Sequence, residues 1–178
     1  MAQEKKKQKF FEVEIPIINK KTELYAYDQK ELENKYIKYD LTRMMRGKGL
    51  LLTLKVKLKD GKLVSYPKKM VILPYFIRRV VKKGTNYVED SFIAKTKDNE
   101  VILKPFLVTR RKVSRNIRKS LRNKCKEELL DYVKDKNSEA LFEDLLKGQL
   151  QRNLSQKLKK IYPLSFCDIR ILEMKNKD

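Results

Sequence analysis

Between Thr109 and Lys126 the chain places nine cations and no acid: Arg110, Arg111, Lys112, Arg115, Arg118, Lys119, Arg122, Lys124 and Lys126. A run of that charge cannot be taken out of water, because unpaired ionised side chains are too costly to bury. Yet Ile117, Leu121 and Cys125 stand four apart within it, the spacing that one face of an α-helix brings together. The segment is therefore constrained to be a surface helix with an apolar stripe inward and cations on the other sides. Those charges oppose the helix macrodipole, which favours acids at the N-terminus. Here the first turns are basic, while Glu127, Glu128 and Asp131 come later. An anion docked at the first turns reverses the penalty, and phosphate is the usual occupant. The plain alternative is a solvated charged face. The prominence of arginine and the lack of interspersed acids argue against it.

The rest of the chain carries the same sign. Its formal net charge is +21 and it contains no histidine. A surface that positive repels itself and points to a polyanionic partner, of which nucleic acid is the most abundant. With 41% hydrophobic residues over 178 positions there is enough apolar material for a core. The 38% of charged residues then mark a highly charged exterior rather than a disordered chain. A second basic cluster is Arg78, Arg79, Lys82 and Lys83, where cations ending a short helix also stabilise it unaided. A third is Arg43, Arg46 and Lys48, beside Gly47 and Gly49, whose backbone N–H groups could approach phosphate closely. It lacks the spacing and the Ser/Thr of a nucleotide phosphate loop. Lys5, Lys6, Lys7 and Lys9 would form an arm that orders on binding; a solubilising tail is the alternative.

The pattern along the chain predicts strands first and helices later. Residues 1–9 read as a flexible basic arm, and residues 10–178 as a single domain. Phe10 to Pro16 reads as a strand, with Phe10 and Phe11 expected in the core, followed by short strands at 24–27 and 35–42. Leu52 to Lys59 alternates apolar with polar, and Asp60-Gly61 then Lys62 to Tyr66 completes a hairpin with Lys55, Lys57 and Lys59 on its outer face. Pro74 to Gly84 reads as a short helix with Gly84 as its C-cap. Residues 87–96 and 100–108 form a second hairpin in which Pro105 signals an edge or a bulge. Helices are expected over 114–135, over 138–147 with Ser138 as N-cap, and over 148–161, before a closing strand at 166–172. The order implies an α+β fold, a mostly antiparallel β-barrel with its main helices in the C-terminal third.

Catalytic signals are few. Without histidine the usual general base is missing. There is no paired-carboxylate motif and no GxSxG, GxGxxG or HExxH. Cys125 and Cys167 belong to no CxxC pair, so no zinc site, metal or cofactor is expected, and both are expected as buried free thiols, with a structural disulfide as the alternative. An RNA-processing or RNA-modifying enzyme is the alternative reading; it needs clustered acids and a metal, around Asp28, Asp40 or Asp90. A DNA-binding architectural protein is a weaker one. The charged start of the chain has no apolar stretch behind it, so no signal peptide is expected. The most apolar run, Leu50 to Leu54, is far short of the ~20 residues that cross a bilayer. The expectation is a cytoplasmic chain without a membrane partner. Nothing resembles the aromatic-rich signature of an RNA recognition motif. Phosphate and shape recognition is expected, not base-specific readout.

Several segments in order resemble one family. They are Phe10-Phe11-Glu12-Val13-Glu14-Ile15-Pro16, Tyr39-Asp40-Leu41-Thr42, and Tyr75-Phe76-Ile77-Arg78-Arg79-Val80-Val81-Lys82-Lys83. They continue with Lys104-Pro105-Phe106-Leu107-Val108-Thr109-Arg110-Arg111-Lys112, then Ile117-Arg118-Lys119, and close with Lys160-Ile161-Tyr162-Pro163-Leu164 followed by Ile169-Arg170. Together they are similar to the archaeal and eukaryotic small-subunit ribosomal protein family S-three-A-e (e-S-one in the unified naming). The resemblance implies a β-barrel with appended helices, bound to small-subunit rRNA on the platform near the mRNA exit. It implies structural packing among neighbouring small-subunit ribosomal proteins, with mRNA close by and no catalysis. By matching position it implies RNA contacts at Arg78, Arg79, Arg110, Arg111, Lys112, Arg118 and Lys119. Two segments depart from the pattern. Ser165-Phe166 replaces a basic pair, which removes one expected RNA contact, and Val71-Ile72-Leu73-Pro74 replaces a polar helix start.

Overall fold

The alternating run around Leu54 becomes a long strand because a period of two puts every apolar side chain on one face. A computed structural model describes residues 7–59 and 61–175. The chain divides into two units, residues 1–39 with 52–68 and residues 40–51 with 69–178. Elements begin with β1 (Lys9–Ile15), β2 (Lys20–Ala26), β3 (Tyr36–Asp40), β4 (Leu50–Lys59) and β5 (Lys62–Ile72). These supply the first unit, although Asp40, Leu50, Leu51 and Lys69–Ile72 count with the second. β1 pairs antiparallel with β2 and, at Val13 and Glu14, parallel with β5. β4 pairs with β3 and β5. Leu52, Leu54 and Val56 are buried, while Lys57 and Lys59 are exposed. Gly61 turns the hairpin at φ +74°, a value glycine adopts freely. Asp60 lies outside the described residues.

Phe10 departs from its expected place in the core: it is 69% exposed and its ring meets that of its cross-strand partner Tyr25 at 4.8 Å. The strand period explains this. Val13 and Ile15 are buried, so odd positions of β1 face inward and Phe10 faces out, while Phe11 is half-buried.

The second unit continues with α1 (Pro74–Val80), β6 (Tyr87–Glu89), β7 (Phe92–Lys95), β8 (Glu100–Thr109), α2 (Arg115–Lys134), α3 (Ser138–Lys147), α4 (Gln149–Leu158) and β9 (Leu164–Met174). β8 is central: it pairs antiparallel with β9 on one edge and with β6 and β7 on the other. The end of β5 adds to β9 at Lys69–Val71. Pro105 marks a bulge, with the register slipping between Lys104 and Pro105. At Pro105 the strand is also locally an edge: its partner is Ile169 of β9, and the other side falls between β6, which reaches Phe106, and β7, which starts opposite Leu103. α2 packs over β6, β7 and α4, burying Leu121, Cys125, Leu129 and Val133 as a stripe of period four. A buried carboxylate also ties the unit together. Asp168 pairs with the Lys48 ammonium and accepts from Gln151 Nε2 at 3.1 Å and from the Ile169 N–H at 2.8 Å.

The fold is α+β, with an open strand path in place of the expected barrel. Among the described residues, pairing ends at β2 and β3 in one unit and at β6 and β7 in the other. Helix ends also shift. α1 stops at Val80, with the β-branched Val81 extended behind it, so Gly84 (φ +86°) serves a later turn instead of a C-cap. The N-cap of α3 is Asn137; Ser138 is buried one position inside, its hydroxyl 3.4 Å from Asn99 Nδ2. α4 stops at Leu158, short of 161. Cys125 is buried, Cys167 half-buried, and both are free. No described helix is long and apolar enough to cross a membrane.

Candidate nucleic-acid interface

Local hydrogen bonding explains why Arg110, Arg111 and Lys112 face outward. Thr109, fully buried, ends β8. Its hydroxyl accepts from the Asn86 N–H (3.0 Å) and lies 2.7 Å from the Arg111 carbonyl. The Thr109 N–H donates to the Asn86 carbonyl at 2.9 Å, and Asn86 Oδ1 accepts from the Val113 N–H at 2.8 Å. One Asn–Thr pair thus satisfies both ends of the short loop and leaves three cations exposed between them. Ser114 then caps α2, its hydroxyl accepting from the Ile117 N–H over a long 3.5 Å.

Because the Leu121–Val133 stripe faces the core, Arg115, Lys119 and Arg122 are exposed and Arg118 is half-buried. These four line a groove of about 640 Å³ with Asn116, Asn123, Tyr87 and Val88. No acid lines it. Arg118 Nε is buried and makes no hydrogen bond to a described residue. The nearest acid on β6 is Glu89, and Arg170 holds it with both carboxylate oxygens at 3.3 Å.

The cations of α2 and of the loop before it fall into two groups. Arg110, Arg111, Lys112, Arg115, Arg118, Lys119 and Arg122 pair with no described carboxylate. Later cations are used internally: Lys124 reaches Glu127 at 3.0 Å and Glu128 at 3.3 Å, Lys134 reaches Asp131 at 3.1 Å, and Lys126 lies 5.7 Å from the centre of the Phe92 ring. Lys157 of α4 also pairs with Glu128, and this hydrogen bond, more than any other contact, holds the Glu128 carboxyl below its usual range. No acid occupies the first turn of α2, so the helix does not itself offset its macrodipole penalty there.

The remaining clusters differ among themselves. Arg78 and Arg79 are exposed on the last turn of α1, so they can serve its dipole. Lys82 and Lys83 are exposed beyond the helix and cannot. Arg43 and Arg46 are exposed, while Lys48 is spent on Asp168. The two glycines beside it have internal reasons. Gly47 holds φ +80°, and a Cβ on Gly49 would sit 2.4 Å from the Tyr75 hydroxyl. Lys7 and Lys9 are exposed, with Lys9 opening β1; Lys5 and Lys6 lie outside the described residues.

Burial pushes the Cys125 thiol up to about 12 and the Cys167 thiol higher still, so neither is poised as a thiolate. Among the described residues no three potential metal ligands gather. Sequence reasoning missed Asn86, Asn116, Asn123 and the placing of Tyr87. Only the strand alternation of Tyr87-Val88-Glu89, with Val88 inward, could have put Tyr87 on the surface.

A cationic groove of this kind has the charge to meet a polyanion. Comparison with known proteins adds the family. Residues 3–177 match the model described as the Ribosomal S3Ae family. The chain belongs to that family, as its motifs suggested. It is similar to the small ribosomal subunit protein eS1 of Methanothermobacter thermautotrophicus, at 29% identity over 102 residues, 55% of this chain and 52% of that protein. It is also similar to the eS1 protein of Nanoarchaeum equitans, at 32% identity over 95 residues, 53% of this chain and 48% of that protein. The chain spans about half the length of the curated relatives it matches. The enzyme alternative gains no support from these matches.

Proposed function

We propose that this chain is a structural protein of the small ribosomal subunit that holds small-subunit rRNA by phosphate and shape contacts. In this reading it sits on the platform near the mRNA exit, among neighbouring small-subunit proteins and close to mRNA. It works with the cytoplasmic ribosome and carries out no reaction. Arg110, Arg111, Lys112, Arg115, Arg118, Lys119 and Arg122 supply the main contact. Arg78, Arg79, Lys82, Lys83, Arg43 and Arg46 add to it, and Lys7 and Lys9 extend it. Lys48 drops out, because Asp168 already neutralises it.

One observation carries the proposal. The cations from Arg110 to Arg122 lack carboxylate partners among the described residues, and all but the half-buried Arg118 are exposed, whereas Lys124, Lys134, Lys147 and Lys157 of the helices each pair with an acid. A row of uncompensated arginines is unfavourable by itself and becomes favourable against phosphates, where guanidinium groups bind two oxygens at once.

The test is co-sedimentation of the tagged chain with small ribosomal subunits on a gradient. The wild-type chain is expected to travel with them, and a triple variant Arg111→Glu, Arg115→Glu, Arg122→Glu to stay at the top while unfolding at the wild-type temperature. All three residues are exposed, so the fold should not depend on them. Equal sedimentation of both chains rules the proposal out. So does release of the wild-type chain by duplex DNA as readily as by RNA.

A further inference from the structure

The groove beside α2 contains more than charge. We propose that it takes a single unpaired nucleotide of the bound RNA, with the base on the Tyr87 ring and the adjoining phosphates on Arg115, Arg118, Lys119 and Arg122. This rests on the RNA-binding function proposed above and deepens it.

Tyr87 is 55% exposed, although the next residue on its strand, Val88, is core. The ring is not loose. It runs nearly parallel to the buried Phe106, at 22° between planes and 5.9 Å between centres. One side is thus backed by the core while much of the ring stays open to solvent. A flat, fixed, exposed ring is the surface on which unstacked bases settle, whatever their sequence. Around it the lining separates by chemistry. Four cations can meet phosphate, and the side-chain amides of Asn116 and Asn123 can donate to and accept from a base edge or ribose. The volume of about 640 Å³ lies within the ordinary range of small-ligand sites, roughly 300–1,000 Å³. Of the acids next to Tyr87, Glu89 pairs with Arg170, and Asp90 accepts from the Ser91 N–H at 2.9 Å. Arg118 Nε is a buried donor without a partner among the described residues, and a phosphate oxygen in the groove can supply one.

A base that remains stacked in a duplex cannot lie on Tyr87. The groove should therefore discriminate between unpaired and paired RNA, which the cations alone would not do. The test compares the wild-type chain with Tyr87→Leu and Tyr87→Phe for binding of a short oligouridine and of an RNA duplex. Losing one base–aromatic stack should weaken oligouridine binding by about 5- to 150-fold in Tyr87→Leu. Tyr87→Phe should bind like wild type, and the duplex should bind all three chains equally. A light-activated iodouridine strand on the wild-type chain should crosslink to Tyr87, a readout independent of any effect of substitution on folding. Unchanged oligouridine binding by Tyr87→Leu, or crosslinks only at other residues, overturns the inference. If the wild-type chain binds subunits and duplex while Tyr87 is silent, this inference alone fails. If it binds no RNA at all, the function beneath it fails too.

Discussion

Thr109 shows how a buried hydroxyl can govern an exposed charge. Its hydroxyl and the Asn86 backbone satisfy each other, and the same contacts close the loop that presents Arg110 and Arg111. Thr109→Val keeps the shape and removes the hydroxyl, leaving the part-buried Asn86 N–H without its acceptor. That should cost about 1–3 kcal/mol of stability, read as a lower midpoint in urea unfolding. RNA affinity should fall as well, since the loop loses its tether. A variant as stable as wild type would show that the pair does not hold the loop. The threonine was legible in the sequence only as part of Thr-Arg-Arg. Its partner Asn86 lies 23 positions away, and no local pattern marks a contact over that separation.

At the scale of elements, α2 carries two jobs on two faces. Leu121 is fully buried and Arg122, its neighbour, is exposed and lines the groove. Leu121→Ala should cost about 2–5 kcal/mol, because the cavity adds to the lost transfer energy. Arg122→Ala should leave stability unchanged and weaken RNA binding. Thermal unfolding and a binding titration on both variants would check this; a reversed pattern would mean that the faces were assigned wrongly. This helix was readable in advance from the Ser114 cap and the spacing of Ile117, Leu121 and Cys125. Ends set by tertiary contacts were not. Gly84 looked like a cap, but Val81 turns extended first, and Ser138 looked like a cap but is drawn inward toward Asn99. Phe10 was misplaced because an aromatic pair invites burial, whereas the phase of β1 is set by Val13 and Ile15. The role of Tyr87 was hidden for a similar reason: exposure depends on what covers a residue, and composition does not record that.

For the whole molecule the net charge of +21 favours a polyanionic partner. Several carboxylates are met by cations: Glu128 by Lys124 and Lys157, Asp144 by Lys136, Asp168 by Lys48, Glu89 by Arg170. Part of the surplus stands at the loop and first turns of α2, where seven cations have no carboxylate partner among the described residues. Order of elements gave the α+β class, because strands fill the first two thirds and helices the last. Barrel closure was not readable, since closure depends on which strands meet at the edges, and the open ladder leaves β2, β3, β6 and β7 unjoined.

The central claim is that this surplus meets phosphate. Its most direct test is the slope of log affinity against log salt for a small-subunit rRNA fragment, measured for wild type and for Arg111→Ala, Arg115→Ala and Arg122→Ala. Each lost phosphate contact should flatten the slope by about one unit, with affinity reduced uniformly across RNA sequences. Slopes that stay at the wild-type value in all three variants would contradict it.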